Sequence, residues 1–259
     1  MTLIEKTLFG DIDIVQIAID RLREFEPPEG YYGAFSGGKD SCVIKELASR
    51  AGVKVDWHYN VSGIDPPELV RFIKKYHSDV DWERFDIPFL VKMRTKGYPL
   101  RQGRWCCEIY KEAGGKGRLV LTGVRWAESS RRAKRNMVEA CYNSPGKRFL
   151  HVIIDWREVD VWDFLRAEKI LYCSLYDEGW SRIGCIACCM QPAWLKQKEL
   201  DRYPAMERAY IRAFEALYAL RKSQGNPSVD RWANGLEMFR WWISNEPAPK
   251  DDDEQGLFD

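Results

Sequence analysis

The chemistry-bearing residues of this chain begin at Ser36, in the stretch YYGAFSGGKDSCVIKEL (31–47). From Gly33 the stretch almost spells the phosphate-loop pattern G-x-x-x-x-G-K-[ST]: Gly33 and Gly38 are correctly spaced and Lys39 follows, but Asp40 stands where a magnesium-binding hydroxyl belongs. An acid there would repel a triphosphate, so a phosphate site must work by another geometry. Gly37 and Gly38 let backbone N–H groups turn inward beside a helix N-terminus, Lys39 adds charge, and Ser36 and Ser41 add hydroxyl donors. Asp40 capping the helix would keep its charge away from the ligand. The bland alternative is a glycine turn with an ordinary Ser or Asp cap.

Two further groups of residues invite chemistry. Cys106 and Cys107 are adjacent in RWCCEIYK, and Cys185 and Cys188 form a C-x-x-C in GCIACC. Four thiolates in two short clusters can close a metal site across a fold. Structural zinc more often uses two C-x₂₋₄-C knuckles, and buried free thiols remain the alternative to both. Cys189 follows Cys188 directly, so either could be the fourth ligand; Cys42, Cys141 and Cys173 read as core thiols. The segment RWAESSRRAKR carries Arg125, Arg131, Arg132, Lys134 and Arg135. A charge run is usually a solvated face, but forked guanidinium groups at a strand end suit phosphate or sulfate oxygens. Asp65, Glu68 and Glu128 are acids near these segments, with surface capping an equal reading for Asp65. His58, His77 and His151 are scattered, which gives a histidine-based triad no support.

These residues need a scaffold. GYYGAFS, VKVDWHYN, DWERFDIP, GRLVLTGV and RFLHVIIDW read as strands, and DIDIVQIAIDRLREF, CVIKELASRAG, PPELVRFIKKYH and REVDVWDFLRAEKI as helices. That alternation predicts an α/β fold with a doubly wound parallel sheet. It puts the Ser36–Ser41 turn and Gly123 at the carboxyl ends of strands, where such sheets bind ligands. From Ala193 onward the pattern is helical and rich in aromatics. The expected division is therefore an α/β nucleotide-binding domain over 1–192 and a helical extension with an acidic tail over 193–259. With 259 residues, 45% hydrophobic and 31% charged, the chain can bury a sizeable core. Its net charge of +1 predicts no bulk attraction to nucleic acid or membrane, so steering must come from local patches. Without a signal-like leader or an apolar span it reads as cytoplasmic, where eight cysteines favour metal or redox chemistry over disulfides.

SGGKDS resembles the PP-loop of the ATP pyrophosphatases, the adenine nucleotide α-hydrolase fold. Downstream, YNVSGIDPPELVRFI, TGVRWAESSRR and IIDWREVDVWDFLRAEKILYCSLYDEGWSRIGCIAC are similar, in order, to segments of phosphoadenosine phosphosulfate (PAPS) reductase-like proteins. The likeness covers about 31–190. It implies nucleotide contacts from Ser36, Gly37, Gly38, Lys39, Asp40, Ser41, Gly123, Arg125, Glu128 and Ser129. Lys39, Arg125 and Arg132 become the catalytic candidates, with ATP or an adenylyl nucleotide as ligand and magnesium as its companion. The cysteine pattern resembles that of adenylylsulfate reductases, which implies a [4Fe–4S] cluster on Cys106, Cys107, Cys185 and Cys188. The family's reductases also carry a nucleophilic cysteine in a late E-C-G-[IL]-H motif, whereas the last cysteine here is Cys189. The expectation is therefore an adenylating enzyme that releases pyrophosphate in iron–sulfur-dependent sulfur transfer. A cysteine desulfurase or other sulfur donor would be its partner, and a nucleic acid or a metabolite its acceptor. Adenylylsulfate or PAPS reduction to sulfite is the alternative, and a non-catalytic nucleotide-binding subunit the third.

Overall fold

The computed structural model describes residues 2–7 and 10–247; the acidic tail expected at the end lies outside the described residues, apart from its first position, Pro247. In chain order the elements are β1 (Ile4–Thr7), β2 (Gly10–Asp13), α1 (Ile14–Glu24), β3 (Tyr31–Ala34), α2 (Lys39–Ala51), β4 (Val55–Asn60), α3 (Pro67–Tyr76), β5 (Asp81–Glu83), α4 (Phe89–Lys96), α5 (Trp105–Tyr110), β6 (Leu119–Thr122), β7 (Val138–Ala140), β8 (Arg148–His151), α6 (Glu158–Ala167), α7 (Ala193–Arg202), α8 (Pro204–Ser223) and α9 (Gly235–Ser244). They form two compact units. The first comprises Met1–Val61, Pro66–Arg84 and Glu112–Ile183; the second comprises Ser62–Asp65, Phe85–Lys111 and Gly184–Asp259.

The first unit is α/β. Its six-stranded sheet has the order β5-β4-β3-β6-β8-β7. All neighbouring pairs are parallel except β7–β8, where Val138 faces Leu150 and Ala140 faces Arg148 in antiparallel register. This edge strand is the one departure from the parallel sheet expected. Only a short hairpin separates β7 from β8, and a parallel return would have needed a crossover. β1 and β2 pair antiparallel as a separate ribbon. The strand order reverses between β3 and β6, so the segments leaving both strands emerge side by side at their carboxyl ends, the place such sheets reserve for ligands. The central strands are buried on both faces: Tyr31 is wholly covered, and Leu119, Val120 and Leu121 nearly so. α2 ends at Gly52, whose left-handed φ of 70° lets its N–H close back on Ala48 and Ser49.

The second unit is helical and is built around Phe89, Met93, Tyr210, Phe214, Leu217, Phe239 and Trp242. The region from 193, expected as a helical extension, lies in this unit together with 62–65 and 85–111. α7 and α8 are separate helices because Pro204, at the first position of α8, has no N–H to continue the turn. Lys196 is fully buried yet satisfied: its ammonium donates to the Trp242 carbonyl at 2.5 Å and the Asn245 side chain at 2.8 Å, closing the end of α9. Among the described residues, no helix is long and apolar enough to cross a membrane.

Candidate functional sites

The turn after β3 is built by two glycines with different duties. Gly37 has φ 71°, and a Cβ there would meet Ile73 and Leu69 at 2.8 Å, so only glycine fits. Gly38 has an ordinary φ of −75°, and its nearest neighbours to a Cβ are Ser36 Oγ at 3.4 Å and Tyr176 Oη at 3.5 Å. Gly38 caps α2 through its carbonyl, which accepts from Cys42 N at 3.1 Å and Ser41 Oγ at 2.8 Å. Ser36 Oγ lies 3.3 Å from Ser41 Oγ. The loop residues Ser36, Gly37, Gly38, Lys39, Asp40 and Ser41 therefore stand together at the start of α2.

Asp40 does not cap that helix, contrary to the capping role read from the sequence. Gly38 occupies the cap position, and Asp40 turns across to the segment after β6. There its Oδ1 forms an ion pair with Arg125 Nε at 2.9 Å. Arg125 is 2% exposed and its Nη2 donates to Glu158 Oε2 at 2.6 Å. Lys39, also buried, reaches Glu158 Oε1 at 3.3 Å and Asp40 Oδ2 at 3.5 Å. Burial pushes the Asp40 carboxyl up, against the pull of Lys39 and Arg125. Burial also works on Glu158, but its hydrogen bond from Arg125 and the nearby Lys39 hold that carboxyl below its usual range. Gly123 makes the approach possible: a Cβ there would lie 2.8 Å from Asp40 Cβ. The two expected cations are thus held in place by two carboxylates, Asp40 at the start of α2 and Glu158 at the start of α6.

Glu128 accepts from Arg125 N at 2.9 Å and is ion-paired with Arg132. Arg132 N donates to Ser129 Oγ at 3.3 Å. Arg132 is therefore one carboxylate removed from Arg125, while Lys39 and Arg125 share Asp40 and Glu158. Two members of this group were not read from the sequence. Glu158 opens α6, where an acid is ordinary in a first turn. Tyr176 places its hydroxyl 3.1 Å from Lys39 N, as acceptor, and its ring 5.5 Å beneath the Lys39 ammonium. Its only sequence signal was its position inside the segment leading to the last cysteines. Asp65 and Glu68 part company: Asp65 belongs to the second unit and Glu68 to the first turn of α3.

The second unit gathers five cysteines. Cys106 and Cys107 sit in the first turn of α5. Cys185, Cys188 and Cys189 lie on a turn that the surrounding core anchors: Ile186 N donates to Ile64 O at 2.8 Å, Tyr210 Oη to Ile186 O at 3.0 Å, and Ala187 N to Glu199 Oε2 at 2.6 Å. The Cys106 thiol hydrogen-bonds with Cys107 and Cys189, and Cys188 with Cys189. Burial pushes the Cys185 thiol up, and a hydrogen bond from Lys111 opposes it. Lys111 also pairs with Asp65 at 3.8 Å, and Asp65 accepts from Ser62 Oγ at 2.7 Å. Among the described residues, no three His, Cys, Asp or Glu side chains converge as ligands of a single metal ion. The donor set is nonetheless all sulfur, with the Asp65 carboxylate turned to Lys111 and that of Glu199 to Ala187 N and Gln191 Nε2, which is the composition that suits a thiophilic group. The remaining thiols belong to the first unit. Cys42 and Cys173 are buried in its core, with burial pushing Cys42 up to about 12, and Cys141 borders the end of β8 opposite the loop.

A mostly parallel sheet with a glycine loop and paired cations at its switch point defines a nucleotide-binding α/β protein. Residues 31–191 match the phosphoadenosine phosphosulfate reductase domain, more than half of the chain, and the protein belongs to that family. It is 30% identical over 190 residues to an uncharacterised protein of Methanocaldococcus jannaschii, covering 69% of this chain and 46% of the relative. It is 29% identical over 191 residues to an adenosine 5'-phosphosulfate reductase of Oceanobacillus iheyensis, covering 68% and 78%, and 32% identical over 172 residues to that of Allochromatium vinosum, covering 60% and 66%. The chain spans less than half the length of the archaeal relative.

Proposed function

We propose that this protein is a PP-loop enzyme of sulfur transfer that binds ATP through the Ser36–Ser41 loop and adenylates an acceptor. An acceptor oxygen attacks the α-phosphorus, the bond from that phosphorus to the bridging oxygen breaks, and pyrophosphate leaves. Lys39 and Arg125 stabilise the charge that grows on the leaving group, since both are fixed before the reaction and need no reorganisation. Arg132 steadies Arg125 through Glu128. Cys106, Cys107, Cys185 and Cys188 would hold a [4Fe–4S] cluster, which supplies a site for binding sulfur or electrons; Lys111 beside Cys185 would offset the charge of its thiolates.

The observation that carries adenylation over reduction is the placement of thiols in the first unit. A sulfonucleotide reductase attacks its substrate's sulfur with a thiolate. Cys42 and Cys173 are core thiols, and Cys141 borders the opposite end of the sheet. The reductase reading keeps support from the named activities of two relatives. Protein prepared without oxygen and given ATP, adenylylsulfate or PAPS separates the two: pyrophosphate from ATP is expected. Sulfite from either sulfonucleotide with thioredoxin supplied, lost in Cys189→Ser, would replace adenylation with reduction. The same preparation should be brown, with about four irons per chain; stoichiometric zinc without iron would make the thiol site structural.

A further inference from the structure

The second unit carries a run of charge that neither candidate site uses. Between Phe89 and Cys107 stand Lys92, Arg94, Lys96, Arg101 and Arg104, with no Asp or Glu among them. In a chain of net charge +1 this is a strong local excess. Arg94, Lys96, Arg101 and Arg104 are exposed and Lys92 is half-buried. Among the described residues, none of the five is in an ion pair. Two of them tie the run to the thiols: Arg101 donates to Met190 O at 3.0 Å, just past Cys189, and Arg104 Nη1 lies 3.7 Å from Cys107 Sγ. The charges are strung along α4 and the following loop rather than converging on one point, so they suit a linear polyanion better than a single phosphate.

We propose that residues 89–104 bind the phosphate backbone of a nucleic acid, and that this places a nucleic acid beside the thiol cluster as the acceptor. The binding itself stands apart from the sulfur-transfer reading; only the role of the bound strand rests on it. Three of the five cations are arginines, whose forks match phosphate oxygens. The uncompensated charge also separates this segment from an ordinary solvated helix face, where acids interleave with bases.

The test is binding of a fluorescent single-stranded 20-nucleotide oligomer to the whole protein, without ATP, across a salt series. Five phosphate contacts predict a log–log salt slope near about −3.5, so affinity should fall about 130-fold between about 50 and 200 mM salt. Replacing two contacts, Arg94→Gln with Lys96→Gln, should flatten the slope by about 1.4 and cut that loss to about 20-fold. Lys74→Gln with Lys75→Gln, which removes equal charge from exposed positions on α3, should leave the slope unchanged. An equal flattening in both double variants, no flattening in the first, or displacement of the oligomer by vesicles rich in phosphatidylserine would each overturn the proposal. Because no turnover is involved, failure of pyrophosphate release would leave a positive binding result standing.

Discussion

Replacing Arg125 by glutamine probes the charge network most directly. The Arg125 side chain is 3% exposed and contacts Asp40 at 2.9 Å and Glu158 at 2.6 Å. Breaking a buried pair by removing one partner costs about 3–5 kcal/mol, because the other charge is left buried. Two features reduce that figure. Glu158 is 53% exposed on its side chain and is stabilised by water once released, so its share is small. Asp40 keeps Lys39 at 3.5 Å. About 2–3 kcal/mol remains, or a fall in Tm of roughly 4–12 °C for a protein of this size. The loss should depend on pH in a definite sense. The folded-state pKa of Asp40 is already raised, chiefly by burial, so its contribution to stability is present at low pH and is lost as pH rises. Without Arg125 that pKa climbs further. The deficit against the native protein should therefore be larger at the upper end of the range from about pH 8 to about pH 5 than at its lower end, because the raised pKa lets Asp40 shed its charge as pH falls. Differential scanning fluorimetry across that range reads both. A deficit that is flat with pH, or a Tm change under about 2 °C, would refute the reasoning.

Other expectations follow from single contacts. Gly37→Ala should lower stability by about 1–3 kcal/mol in urea titration, because the residue is left-handed and its Cβ would strike Ile73 and Leu69. Lys39→Ala should weaken ATP and adenylylsulfate binding by calorimetry while the far-ultraviolet circular dichroism is kept; unchanged affinity would remove the loop from the nucleotide site. Tyr176→Phe leaves the Lys39 amide without its acceptor and should cost about 1 kcal/mol at the Tm. Glu199→Ala removes the acceptor for Ala187 N and Gln191 Nε2 under the cysteine turn, and should lower iron retained after anaerobic purification as well as Tm.

The strands and the loop were legible because each rests on local signals: apolar runs bounded by turn residues, and glycines where a backbone must bend. The five strands read from the sequence are β3, β4, β5, β6 and β8. What escaped was short or defined by its neighbours. β7 has three residues and exists as a strand through its pairing with β8. α5 has six residues, too few to show a helical period. Within the loop the side chains Lys39 and Arg125 could be chosen by charge and place, but their partners could not. Asp40 looked like a cap by position, and only the approach of Gly123 shows why it turns to Arg125 instead. Tyr176 lies 137 positions from the amide it serves, and no periodicity encodes that distance.

The second unit is drawn from three stretches of chain, with returns to the first unit between them. The polypeptide therefore passes between units five times, and no single cut releases either one intact. During synthesis, Cys106 and Cys107 leave the ribosome roughly 80 residues before Cys185, about 4–16 s at ordinary rates of elongation. For that interval the vicinal thiols have neither their partner turn nor the helices that bury it. Whatever loads or guards those sulfurs must act after residue 189 has emerged, or must protect an adjacent dithiol on a nascent chain. A truncated form ending before Gly184 would keep every strand of the sheet and still present that dithiol without its partners, which makes it a sensitive reporter of how the cell handles unassembled thiols.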